Sequence, residues 1–117
     1  MTVTDKSKQP QAEISIRLYL DQEKLPEKME WRATDAPFEG YKECKAFLLS
    51  IFDPEDRNTL RVDIWNKDMR LDEMYQFFYQ TLLSMADTFE RATNHQEAAG
   101  ELREFGTSFG KKLGIVR

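Results

Sequence analysis

The chain reads as an α+β protein: a four-stranded antiparallel sheet made of two hairpins, followed by two C-terminal helices packed on one of its faces. Three observations predict this. Apolar residues recur every second position through much of the first half, as in Ile14, Ile16, Leu18 and Leu20. Within residues 60–93 this rhythm gives way to the three-and-four spacing of a helix facing a core. All four prolines, Pro10, Pro26, Pro37 and Pro54, fall in the expected tail or connections, so none interrupts an element.

Residues 1–12 are polar, with Lys6, Lys8, Gln9 and Pro10 and almost nothing to bury, and read as a flexible N-terminal tail. Residues 13–117 read as a single α+β domain, because a chain of 117 residues that is 40% hydrophobic has material for one core. The first strand covers 13–20, where Ser15, Arg17 and Tyr19 fill the alternate positions. A second covers 28–34, with Met29, Trp31 and Ala33 alternating against Glu30 and Arg32, and the polar stretch 21–27 joins the two. The segment 35–43, with Pro37 and Gly40, reads as a loop with room for one helical turn. The apolar run 45–52 fits either a doubly buried strand or a short buried helix by periodicity alone. Its length, the turn composition of Asp53, Pro54 and Asn58, and the alternation of Leu60, Val62 and Ile64 beyond favour a hairpin.

After Trp65 the helical rhythm takes over. Asp72 and Glu73 sit where a first turn favours negative charge, and the helix is expected to run to about Thr93. Its core-facing stripe is Leu71, Met74, Phe78, Leu82, Met85 and Phe89, widened by Tyr75 and Phe77. Asn94 and Glu97 match a capping box, placing the start of a second helix near His95. There Ala98, Leu102, Phe105, Phe109 and Leu113 form the stripe, with Lys111 and Lys112 near the negative end of the dipole. Connections this short require antiparallel pairing, since parallel crossovers need a dozen or more residues.

Composition excludes several function classes. A net charge of -4 opposes general binding to a phosphate backbone, which depends on Lys and Arg, so nucleic acid is not an expected partner. No apolar run approaches the roughly 20 residues of a membrane span, and the N-terminal sequence lacks a secretory h-region. The single cysteine, Cys44, cannot form an internal disulfide. Together these place the expected location in the cytoplasm.

Chemistry is sparse. His95 is the only histidine, which excludes a histidine-pair metal site. Cys44 opens an apolar run and fits a buried, unreactive thiol better than a nucleophile. Asp53, Glu55 and Asp56 lack the central glycine of a calcium loop and fit a solvated turn. Asp63 and Asp68 flank Trp65, but nearness in sequence does not make a carboxylate pair catalytic without a pocket. No glycine-rich phosphate loop or nucleophile elbow occurs, and neither an enzyme nor a cofactor is expected. Trp31 and Trp65 are the candidate interaction residues, because tryptophan supplies much contact area at little entropic cost. Alternation sends Trp65 to the same face as Arg61 and Asp63, opposite Leu60, Val62 and Ile64. Gly106, Gly110 and Gly114 lie along one side of the second helix, where they allow either close packing on the first helix or a groove for a partner.

The stretches LRVDIWNKDM and DEMYQFFYQTLLSMADTFERAT, with LPEKMEWRATDA before them, resemble the gliding motility-associated protein GldC family of Bacteroidetes. The similarity covers nearly all the chain after the tail, except that Arg70 stands where a proline is expected in relatives. The resemblance implies a small cytoplasmic accessory protein of the gliding machinery and of the protein secretion system tied to it, with no catalytic residues to carry over. The expected partner is a protein component of that apparatus at the cytoplasmic side of the inner membrane. Docking is expected through a sheet face or strand edge carrying Trp65, Trp31, Arg61, Asp63, Lys67 and Asp68. Two other readings stay open: a small-ligand pocket between sheet and helices lined by Phe47, Phe77 and Tyr79, and a homodimeric structural module.

Overall fold

The computed structural model describes residues 9–117, which form two compact units, with the chain passing from one to the other between Asp68 and Met69. Residues 1–8 of the expected tail lie outside the described residues. Residues 9–12 carry no regular structure and are exposed.

The first unit is all β. Its strands are β1 (Ile14–Leu20), β2 (Pro26–Ala33), β3 (Lys42–Cys44), β4 (Ala46–Asp53) and β5 (Asn58–Trp65). The two expected hairpins are present as antiparallel β1–β2 and β4–β5 pairs. The single four-stranded sheet is not. The strands form a three-stranded sheet in the order β1-β2-β3 and a separate two-stranded sheet of β4 and β5. What reads in the sequence as one loop followed by one strand is a strand that bends at Lys45. Its first part pairs with β2 and its second with β5. Strands that change sheets at a bend are the usual corner between two sheets set at an angle. The missed strand β3 is only three residues long, and its Lys42, Glu43 and Cys44 carry no alternating apolar signal.

In the three-stranded sheet, Ile14, Ile16 and Leu18 stand opposite Ala33, Trp31 and Met29, and Met29 opposite Cys44, so these residues share one face. Met29 is fully buried there. The other face is polar: Glu30 accepts from Tyr19 at 2.9 Å and pairs with Arg17 at 3.3 Å, while the Arg17 guanidinium lies 4.0 Å from the centre of the Tyr41 ring. Pro26 heads β2, where the lack of an N–H does no harm. Opposite Tyr19 and Leu20 the register shifts, leaving Glu27 as an extra residue.

The second unit is a helical hairpin of α1 (Leu71–Thr93) and α2 (Gln96–Lys112). Arg70 is the N-cap of α1, and its backbone N–H donates to the Glu73 carboxylate at 3.0 Å. A guanidinium has no acceptor to return the bond, so it pairs with Asp72 instead. The expected cap at Asn94 is displaced by one residue. Asn94 ends α1 in the left-handed conformation, and His95 caps α2, its Nδ1 accepting from the Ala98 N–H at 3.1 Å.

The seam between these helices is made of small residues. Ala86, Ala99, Gly106 and Gly110 are buried, whereas Leu71, Phe78, Met85 and Phe89 of the expected core-facing stripe are exposed. A Cβ on Gly106 would lie 3.0 Å from the Leu83 side chain, and one on Gly110 would lie 2.6 Å from the Tyr79 ring. The glycine row thus serves packing on α1, with one exception. Gly114, at φ +80°, closes a Schellman turn in which the Ile115 N–H donates to the Gly110 carbonyl and the Gly114 N–H to that of Lys111. Arg103 adds a fork across the seam, reaching Asp87 and Glu90 at 2.8 Å each.

Two glycine substitutions separate propensity from packing. Gly100 has nothing within 4 Å of its missing Cβ, so Gly100→Ala is expected to stabilise by up to about 1 kcal/mol. At Gly110 the same gain is outweighed by overpacking against Tyr79, at ~1–3 kcal/mol, so Gly110→Ala is expected to be net destabilising. Denaturant midpoints moving in opposite directions would establish the contrast.

Candidate functional site

The turn between β1 and β2 is organised by one carboxylate. Asp21 Oδ1 accepts from the backbone N–H groups of Glu23 at 2.8 Å and Leu25 at 3.0 Å, an arrangement that short acidic side chains make readily. Lys24 takes a left-handed conformation at φ 65°. The turn is closed by the Lys24 N–H donating to the Asp21 carbonyl and the Asp21 N–H to that of Leu25, both at 2.9 Å. Asp21 Oδ2 remains for the Lys67 ammonium, 2.7 Å away.

At the exit of β5, the Asn66 N–H donates to the Lys45 carbonyl at 2.9 Å, and the Lys67 N–H to the Pro26 carbonyl at 3.3 Å. Asn66 is buried, and its side-chain oxygen accepts from the Asp68 N–H at 3.2 Å. Between this exit and the turn lies an open groove of about 650 Å³. Leu18, Leu20, Leu25, Pro26, Ile64 and Trp65 supply its apolar lining, while Lys24, Asp63 and Lys67 add charge. Trp65 is 57% exposed and Leu25 51%, so both present apolar surface to solvent at the groove.

Trp65, Asp63 and Lys67 of the sequence-derived candidates therefore come together. Arg61, Asp63 and Trp65 share a face as alternation requires, standing opposite Ser50, Leu48 and Ala46. Arg61 grips Asp63 through two nitrogens at 2.8 and 3.0 Å and donates to Ser50 at 2.6 Å. Asp68 contributes its backbone N–H to the Asn66 turn. Trp31 is elsewhere: half-buried, it meets Phe38 edge-on at 5.1 Å and lines a smaller depression with Ile14, Ile16, Cys44, Ala46 and Phe47. Of the residues expected to line a ligand pocket, Phe47 is on β4, while Phe77 and Tyr79 are on α1, where Tyr79 packs against Gly110. Sequence reasoning missed Asp21, Leu25 and Asn66. An aspartate opening a turn was a readable signal for the first, but nothing in the sequence pairs Asp21 with Lys67.

Burial, reinforced by Glu43, raises the Cys44 thiol above its ordinary range and keeps it protonated. Asp53 accepts from the Glu55 N–H at 3.0 Å, as a turn-forming aspartate does. Among the described residues no group of three or more His, Cys, Asp or Glu side chains is placed to hold a metal ion, and no helix is long and apolar enough to cross a membrane.

The sequence model of the family described as "Gliding motility-associated protein GldC-like" matches residues 26–115. The chain belongs to the GldC-like family. The match begins at Pro26, which heads β2, and extends past the end of α2. Strand β1 and the Asp21 turn precede it, so the groove combines β5 residues from the GldC-like region with Leu18, Leu20 and Leu25 from outside it. Neither the curated proteins nor the solved structures contain a significant match to the chain.

Lys67, followed by the backbone N–H groups of Leu25 and Glu23, holds the Asp21 carboxyl below its ordinary range. A depressed folded-state pKa means that the unfolded chain takes up the proton first. The resulting stability is present above pH ~4 and is lost as pH falls toward the folded value. Asp21→Asn is expected to flatten the acid side of the stability–pH profile. Denaturation midpoints between about pH 2 and 5 that fall as steeply as in the parent would contradict this assignment.

Proposed function

We propose that the chain is a non-enzymatic accessory protein of the gliding machinery and its associated secretion system, working in the cytoplasm by docking a protein component at the inner face of the membrane. The observation that carries this reading is the apolar groove beside Trp65 in a chain of the GldC-like family. A groove with an exposed tryptophan, leucines and a few charged groups suits insertion of apolar side chains from a protein segment, with the charges fixing its direction. Its volume also falls within the range for small ligands. A protein segment is the better fit, because the groove is open and no set of buried polar groups converges on one point.

A photo-crosslinking side chain substituted at Leu25 in gliding cells is expected to capture a component of the apparatus. Trp65→Ala should weaken that interaction by about 30-fold or more, the scale of a truncated hot spot. Capture of no apparatus component, together with normal spreading of a deletion strain, would refute the proposal.

A further inference from the structure

Strand β5 is the last strand of a two-stranded sheet, and its outer edge has no strand partner among the described residues. Such edges are ordinarily protected by proline, charged side chains, a bulge or very short length. Here the strand is eight residues long, has no proline and runs in unbroken register with β4, and its two charged residues, Arg61 and Asp63, are of opposite sign and paired with each other. Both faces of the hairpin carry exposed apolar side chains: Leu60 is 54% exposed, Ile51 50% and Val62 45% on one face, and Phe52 61% on the other. A two-stranded hairpin by itself is marginally stable in water.

We propose that β5 pairs antiparallel with β5 of a second copy of this chain, about a two-fold axis at Val62. The charge pattern of the strand selects this occupant and this register. Centred on Val62, the pairing sets Arg61 against Asp63 of the other copy, and Asp63 against its Arg61. Leu60 meets Ile64 across the axis, Val62 meets Val62, and the apolar face of the hairpin continues into its partner. Centring on Arg61 or Asp63 would oppose like charges, and a parallel pairing in register would oppose both sets. The free edge of β4 offers no such code, because its segment Ala46–Phe52 carries no charge. Each copy already holds Arg61 and Asp63 side by side at 2.8 Å, so dimerisation turns two local ion pairs into a four-charge cluster. The inference goes beyond the docking groove but shares part of it: Asp63, Ile64 and Trp65 of this strand line the groove, while Leu18, Leu20 and Leu25 lie off the strand.

Sedimentation of the full chain is expected to show a dimer at micromolar concentration. Arg61→Asp and Asp63→Arg should each weaken it by at least about ten-fold, by opposing like charges across the axis. Mixing the two variants should restore a dimer containing one copy of each. That result cannot come from repairing the pair within a chain, because each variant keeps its own like-charged neighbours. Val62→Cys should give a disulfide-linked dimer under mild oxidation in a Cys44→Ala background. A parent chain that stays monomeric, variants that dimerise as well as the parent, or a mixture that forms no heterodimer would each overturn the proposal. A monomeric parent would leave the groove reading intact, and loss of partner capture at Leu25 would leave the dimer intact.

Discussion

The Asp21 carboxylate is the interaction on which the arrangement of the first unit depends. One of its oxygens gathers the N–H groups of Glu23 and Leu25 and so shapes the β1–β2 turn, while the other receives the Lys67 ammonium from the far end of β5. Charge-assisted bonds of this kind are shorter and stronger than neutral ones. Without the turn, Leu25 would not face Trp65. Without the Lys67 ammonium, the backbone bond from the Lys67 N–H to the Pro26 carbonyl would be left to tie the exit of β5 to β2. The groove follows from both.

The second unit depends on the absence of side chain. Gly106 and Gly110 let α2 approach Leu83 and Tyr79 closely, and Ala86 and Ala99 continue the same thin seam. Close approach of two helices places the long Arg103 side chain where it can reach Asp87 and Glu90 together. Part of the cost of glycine in a helix is offset in this way by contact, and the large residues Phe78, Met85 and Phe89 remain exposed.

Much of this was legible in the residues. The alternation of Ile14, Ile16 and Leu18, the hairpin closed at Asp53–Asn58, and both helices are local patterns, and local patterns are what a sequence displays. The bend at Lys45 is not local. It arises because one strand serves two partners, and neither partner's demand is written in Lys42, Glu43 or Cys44. The candidate site divides in the same way. Trp65 and Asp63 could be assigned a common face from period-two geometry, whereas the contact between Asp21 and Lys67 joins residues far apart in the chain. Trp31 shows the limit of residue type as a guide, since the same side chain that is exposed at 65 is half-buried against Phe38 at 31.

The Lys67 contacts have a mechanical consequence. Its N–H bonds to Pro26 and its ammonium to Asp21, so one residue ties the exit of β5 to the β1–β2 hairpin, while the chain itself joins the two sheets at Lys45, beside Asn66. The base of the β4–β5 hairpin is therefore held on both of its strands, covalently at Lys45 and by hydrogen bonds at Lys67, which together define a hinge line across that base. A sideways force at the Asp53–Asn58 turn would act about that line with the length of the hairpin as its lever arm, so a small rotation at the base becomes a large displacement at the turn.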